Sequence, residues 1–82
     1  MGFGGDPMNE PIEVEASFDR PLRLDAFLKI CGVAPTGGIA KLMIQDGIVS
    51  VNGRVETRRG RNLVPGDVVS VDDEESFVVV ET

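Results

Sequence analysis

Two helix patterns and a hairpin signal follow one another within one stretch of this chain, from Leu22 to Val69. The first pattern has one apolar stripe, which predicts a short amphipathic helix that ends at Gly32. Pro21 is predicted to lie in the first turn of this helix. Thr36 is predicted to cap a second helix that ends at Gly47. The buried positions predicted for the two helices are Leu24, Phe27, Leu28, Cys31, Ile39, Ala40, Met43 and Ile44.

Strand patterns lie on both sides of the helices. Asn52-Gly53 is the strongest short signal for a hairpin, and the residues before and after it are predicted to be paired strands. Alternation in residues 12–16 predicts a first strand that ends near Phe18 and pairs with the last strand. The remaining predicted segments are strands at 48–51, 54–57, 68–71 and 77–80, a turn at 64–67 and a loop at 72–75.

The chain has 82 residues, which predicts one small domain over residues 12–82. Residues 1–11 are rich in Gly and Pro and are predicted to be a flexible tail. No apolar run approaches the roughly 20 residues that span a bilayer, and the N-terminus has no signal-peptide pattern. We therefore expect a soluble, cytoplasmic protein, which acts as a monomer.

Positive charge is concentrated in one part of the sequence. All eight Lys and Arg residues lie between positions 20 and 61, where three acids oppose them and leave a net charge of +5. The flanking segments carry eleven acids and no base, so the whole chain has a net charge of −6. Because binding follows the local field rather than the sum, this pattern favours contact with nucleic-acid phosphates.

Enzyme chemistry has few candidate residues in this sequence. Without histidine, and with one cysteine, the chain lacks the usual general base and the usual zinc ligands. Cys31 lies on an apolar helical stripe and is predicted to be packed in the core. The Gly37-Gly38 pair followed by Lys41 lacks the spacing of a phosphate-binding Walker loop. We therefore predict no catalysis, no metal and no cofactor.

Two segments are candidates for phosphate contacts, and each has a plainer explanation. Gly37 and Gly38 follow the Thr36 cap at a helix N-terminus, where free N–H groups favour anions; alternatively, they relieve crowding between packed helices. The run at 58–61 holds three Arg and one Gly, which favours phosphate binding, although such a run is often a solvated loop. Asn52 is above all a turn residue.

The combination of LRLDAFLKICGV, AKLMIQDGIVSVNG, an Arg-rich segment and PGDVV resembles the S-four RNA-binding domain, the alpha-L motif named after small-subunit ribosomal protein four. The resemblance covers about residues 20–71 and is closest to stand-alone bacterial members. It implies an α+β fold, with two antiparallel helices packed on a small, twisted, mostly antiparallel sheet. By matching position, its implied RNA-binding residues are Arg23, Lys29, Thr36, Lys41, Asn52, Arg54, Arg58, Arg59 and Arg61, and the helix N-terminus adds Gly37 and Gly38 as candidates. At Gly37 many members have arginine, so no side-chain contact is transferred there.

The resemblance implies non-catalytic binding of structured RNA, either ribosomal or transfer RNA, through a basic groove. Two other hypotheses remain open. The chain could be an adaptor of the translation machinery whose acidic ends bind basic ribosomal or translation-associated proteins, or a degenerate subunit that needs an enzyme partner. All eight Lys and Arg residues lie on one unit, which favours RNA binding because an adaptor would not need them there.

Overall fold

The computed structural model describes residues 10–82, which form two helices and seven strands. The two helices are consecutive in the chain, with two strands before them and five after them, and the fold is α+β, as predicted. In chain order the elements are β1 (Ile12–Ala16), β2 (Leu22–Arg23), α1 (Leu24–Ile30), α2 (Gly37–Gln45), β3 (Val49–Val51), β4 (Arg54–Val55), β5 (Asn62–Leu63), β6 (Val68–Val71) and β7 (Glu75–Glu81).

Five of these strands form the main sheet, in the order β1-β7-β6-β3-β4. The β1 and β7 strands are parallel, with Ile12 opposite Phe77, and the other pairs are antiparallel. The predicted pairing of the first strand with the last is therefore confirmed, and the sheet is mostly antiparallel. The last strand starts two residues earlier than predicted, at Glu75, so the predicted loop at 72–75 is shorter.

The hairpin at Asn52-Gly53 is confirmed by its backbone. Asn52 has φ of 53° and Gly53 has φ of 85°, as a type I′ turn requires at both central positions. The returning strand β4 ends at Val55 rather than at the predicted residue 57. The next residue, Glu56, still donates its N–H to the carbonyl of Val49 at 3.0 Å, and it is only 7% exposed.

The start of the first helix differs from the prediction. Pro21 lies outside α1, and the two residues after it form β2, which pairs with β5 through Leu22 and Leu63. Arg23 has an extended backbone and is the N-cap of α1. Neither β2 nor β5 was predicted, since two residues without an adjacent turn signal are too few to produce an alternating pattern.

The core lies between the helices and one face of the main sheet. The prediction that Ile39 is buried is wrong, because this residue is 41% exposed. The predicted core residues Cys31 and Met43 are only partly buried against the core. The apolar residues of α2 are spread around most of the helix, so periodicity alone could not identify its buried side. The buried hydrophobic residues are Ala16, Leu22, Leu24, Phe27, Leu28, Ala34, Ala40, Ile44, Val49, Val51, Leu63, Val69, Val71, Phe77 and Val79.

The tail predicted over residues 1–11 lies outside the described residues, apart from its last two positions, Glu10 and Pro11. Neither α1 nor α2, the helices of the described part, is long and apolar enough to cross a membrane.

Candidate nucleic-acid interface

Residues 58–61, which we call the arginine loop, are bonded to the start of α1. The Leu24 N–H donates to the carbonyl of Arg61 at 2.8 Å, and the Asp25 N–H donates to the carbonyl of Arg59 at 3.1 Å. The first N–H groups of a helix have no partner within the helix, so the loop carbonyls satisfy them. The neighbouring β2–β5 pair holds the same two segments together. The loop is therefore attached to the helix by its backbone.

A buried carboxylate orients two arginine side chains of this loop. Glu56 accepts hydrogen bonds from the backbone N–H and from Nε of Arg58, each at 3.0 Å, and from Nη2 of Arg58 at 3.1 Å. It also accepts from Nη1 of Arg61 at 3.0 Å. These hydrogen bonds, those from Arg58 first, lower the pKa of Glu56 from 4.5 to about 2. The Arg58 side chain nevertheless remains 75% exposed, so its other N–H donors face solvent.

Arg23 joins the arginine loop from the other side. Its Nε and Nη2 donate to the two carboxylate oxygens of Asp25 at 3.2 and 3.1 Å. A Cβ atom at Gly60 would lie 3.5 Å from Nη2 of Arg23, so the guanidinium lies directly beside the loop. A side chain at this position would make an ordinary contact with the guanidinium, so the position of Arg23 does not require a glycine there. The proximity of Arg23 to the arginine loop agrees with that part of the predicted groove.

We call these neighbouring arginines the arginine cluster; its members are Arg23, Arg58, Arg59 and Arg61. Three of the four guanidinium groups form ion pairs with the carboxylates of Asp25 and Glu56. The four positive and two negative charges together give a net charge of +2. Within residues 10–82, Arg59 forms no ion pair. Each guanidinium has five N–H donors in a planar fork that matches phosphate oxygens, and most of these donors are not used by the two carboxylates.

The start of α2 is open to solvent. Thr36 is the N-cap, as predicted, and its Oγ1 accepts a hydrogen bond from the Ile39 N–H at 3.1 Å. Outside the chain neighbours and the backbone of α2 itself, no atom of residues 10–82 lies within 4 Å of a Cβ built at Gly37, and only Thr36 Oγ1, at 3.8 Å, lies near one at Gly38. Crowding between the helices therefore does not explain the two glycines. Their exposed N–H groups remain available to an anion.

The open space around Gly38 leads to a prediction. Gly38→Ala should raise stability by about 0.5 kcal/mol, because alanine favours a helix and its methyl meets no clash. If a phosphate approaches this backbone, the same methyl should weaken RNA binding about threefold to tenfold. Thermal unfolding followed by circular dichroism and RNA titration measure the two effects. Gly37→Ala is the companion variant, and unchanged RNA affinity in both would exclude phosphate contact at this turn.

Three further candidates lie outside the arginine cluster. Lys29 is exposed in the last turn of α1, Arg54 is exposed on β4, and Lys41 is partly buried beside the buried side of α2. Within residues 10–82, no side-chain hydrogen bond or ion pair connects them to the cluster. The convergence of Lys41 with the cluster stays a prediction.

The side chain of Asn52 forms hydrogen bonds within the protein. Its Nδ2 donates to Oδ1 of Asp67 at 3.0 Å, and its Oδ1 accepts from the Val68 N–H at 3.0 Å. The side chain thus ties the β3–β4 hairpin to the start of β6. Because both polar ends of the amide are bonded within the protein, we leave Asn52 out of the interface developed below.

Sequence reasoning missed the two carboxylates that orient the arginines. Glu56 and Asp25 were counted only as opposing charges, although each lies two residues from an arginine that it binds. A buried acid cannot be recognised from charge alone. The available signal was the spacing of Glu56, two and five residues before Arg58 and Arg61, in a segment that leaves a strand.

Comparison with known proteins gives consistent matches. The family described as S4 domain matches residues 16–80. The probable ribosome maturation protein RlbA of Bacillus subtilis (strain 168) is 38% identical over 73 residues, which are 89% of this chain and 99% of that protein. The solution structure of YbcJ from E. coli, described as having an AlfaL motif involved in RNA-binding, superposes with a TM-score of 0.65. It is 33% identical, and the match covers 89% of this chain and 91% of that one.

Proposed function

The chain belongs to the S4 domain family, and from that premise we propose that it binds structured RNA through the arginine cluster and the open start of α2. In this proposal the guanidinium groups contact phosphates, and the backbone N–H groups of Gly37 and Gly38 donate hydrogen bonds to one further phosphate. Lys29, Lys41 and Arg54 are proposed as peripheral contacts.

The observation that carries the proposal is that hydrogen bonds within the protein orient the arginines. The arginine loop is bonded to α1 through its backbone, and Glu56 holds Arg58 and Arg61 in place. A side chain that is already oriented loses less conformational entropy on binding, so more of each contact contributes to affinity. An ordinary solvated loop would not need a buried carboxylate to order its arginines.

The proposed RNA is ribosomal RNA, with transfer RNA as the second candidate. The B. subtilis relative carries the name of a probable ribosome maturation protein, and the E. coli relative is described by its RNA-binding motif. The proposed setting is therefore ribosome maturation in the cytoplasm. We propose that the chain acts there as a monomer.

We propose that this role is binding without catalysis. Partial burial, with a smaller contribution from Glu75, raises the pKa of the Cys31 thiol to about 12. At neutral pH the thiol therefore stays protonated and is a poor nucleophile.

The dependence of RNA affinity on salt tests the proposal. If about four phosphates are neutralised, the logarithm of affinity should fall against the logarithm of salt concentration with a slope of about −3. A folded ribosomal RNA fragment is the probe, and a single-stranded RNA of equal length is the control, which should bind more weakly. A slope near zero would contradict phosphate binding, and equal affinity for both RNAs would contradict recognition of folded RNA.

A further inference from the structure

The main sheet has a second face, opposite the helices. In β3, β6 and β7 the residues of one face are buried in the core, so the residues between them point to the other side. We call that side the outer face. Its members are Glu13, Glu15, Ser50, Val55, Val68, Ser70, Ser76, Val78 and Val80, as the strand registers place them.

The centre of the outer face is apolar and partly open. Val68, Val78 and Val80 are each partly exposed, and Val55 is 61% exposed. Beside them the hydroxyls of Ser70 and Ser76 lie 3.1 Å apart and bond to each other, which reduces their need for water. No described element therefore covers this face completely.

The sequence of β7 is unusual for a strand with one face in water. Phe77–Val80 is a continuous apolar run, although only Phe77 and Val79 belong to the core. A strand with one solvated face normally alternates apolar and polar residues, and continuous runs are typical of strands that are covered on both faces. Val78 and Val80 thus point to a partner that covers the outer face.

The charges around the outer face indicate the chemistry of that partner. Among the strands of the main sheet only β4 contains a basic residue, Arg54, and its pairing with the core residue Val51 places it on the other face. Glu13 and Glu15 lie opposite Val78 and Val80, and the exposed acids at 72–74 form the adjoining β6–β7 turn. Such a rim repels phosphates and attracts a basic group.

We propose that the outer face binds a basic amphipathic helix of a protein partner. The apolar stripe of that helix would cover the valines, while its Lys and Arg side chains would reach the acidic rim. Helices commonly cover the open face of a sheet in two-layer and three-layer folds. The valines and the acidic rim include no residue of the arginine cluster, so the inference does not depend on RNA binding.

A designed peptide tests this proposal on the intact chain. The probe has about eighteen residues of Leu, Lys and Ala, with Leu on one helical side, and the control has the same composition in scrambled order. The designed peptide should bind at least about tenfold more tightly than the control. Shifts of backbone amide NMR signals should concentrate in β1, β6 and β7 and spare the arginine loop.

Two variants separate the valine contact from the charge contact. Val78→Lys, and the pair Glu13→Lys with Glu15→Lys, should each weaken peptide binding at least about tenfold without lowering RNA affinity. The second variant keeps the apolar centre, so it remains informative if Val78→Lys impairs folding. Asp19→Lys with Asp46→Lys, which makes the same change in charge at exposed positions elsewhere, should retain peptide binding.

Several results would overturn the proposal. Equal affinity for the scrambled peptide would mean that the peptide binds by charge attraction alone, without an apolar contact to the valines. Peptide-induced shifts in the arginine loop would place the peptide site there. RNA-induced shifts on the outer face would assign this face to RNA. The absence of any peptide binding would exclude the proposed partner. Concentration-dependent shifts of the same residues without peptide would identify a second copy of this chain as the occupant instead.

Discussion

Arg58→Ala combined with Arg59→Ala is expected to weaken binding to structured RNA about 30-fold at moderate salt, because two phosphate contacts of the arginine cluster are lost. The salt slope should become shallower by about one to two units, and different RNAs should be affected alike, since phosphate contacts carry little sequence information. Filter binding or fluorescence anisotropy over a series of salt concentrations measures both quantities.

The double variant should remain folded. The Arg58 side chain is 75% exposed, and the Arg59 residue is exposed as well, so neither contributes much to the core. The carbonyl of Arg59, which accepts from the Asp25 N–H, is kept by alanine. Glu56 also keeps the Arg58 backbone N–H and the Arg61 side chain as donors. Only a small decrease in melting temperature is expected.

A single substitution provides the matched control. Arg20→Glu changes the net charge by the same two units at an exposed residue outside the arginine cluster. It should weaken RNA binding by no more than about threefold, since screened charges that do not touch the RNA contribute little. An equal loss in both variants would mean that total charge, rather than the cluster, determines affinity.

Much of the main sheet could be predicted because its signals are local. The Asn52-Gly53 pair defines a turn by the φ angles it tolerates, and Thr36 marks a helix start by its side-chain acceptor. The β2 and β5 strands could not be predicted, since their pairing is between distant residues and each is two residues long. Ile39 was misplaced for a related reason: which side of α2 is buried depends on what packs against it.

The candidate site was only partly visible in the sequence. The clustering of Lys and Arg residues identified the arginine loop as a candidate, but it did not show which of the arginines form ion pairs within the protein. That Glu56 is buried and binds two arginines follows from the path of the chain after β4, which no local pattern encodes. The role of the Asn52 amide likewise depends on Asp67, fifteen residues away.

Glu56→Gln should reduce stability at neutral pH by about 1–2 kcal/mol, since a buried acceptor of charged hydrogen bonds loses its charge. The folded pKa of Glu56 is lowered from 4.5 to about 2, so its contribution is fully present above about pH 5. That contribution should disappear as the pH falls from about 4.5 to about 2. Urea unfolding of parent and variant at several pH values measures this difference.

Glu74→Gln is the control for the pH experiment. Glu74 is exposed in the β6–β7 turn, and its side chain forms no hydrogen bond or ion pair within residues 10–82. This variant is expected to follow the parent across the same pH range. If the stability difference for Glu56→Gln were the same at pH 2 and pH 7, the carboxylate would not be the stabilising form.

The same Glu56→Gln variant should change RNA binding in opposite directions at low and high salt. Removing one carboxylate raises the net charge of the arginine cluster from +2 to +3, which favours phosphates at low ionic strength. Arg58 and Arg61 are then less firmly oriented, and the resulting entropy cost persists at every salt concentration. The variant should therefore have a steeper salt slope than the parent, and its affinity should fall below that of the parent at high salt. If the variant bound RNA more tightly at every salt concentration, Glu56 would only reduce the charge of the cluster and would not orient it.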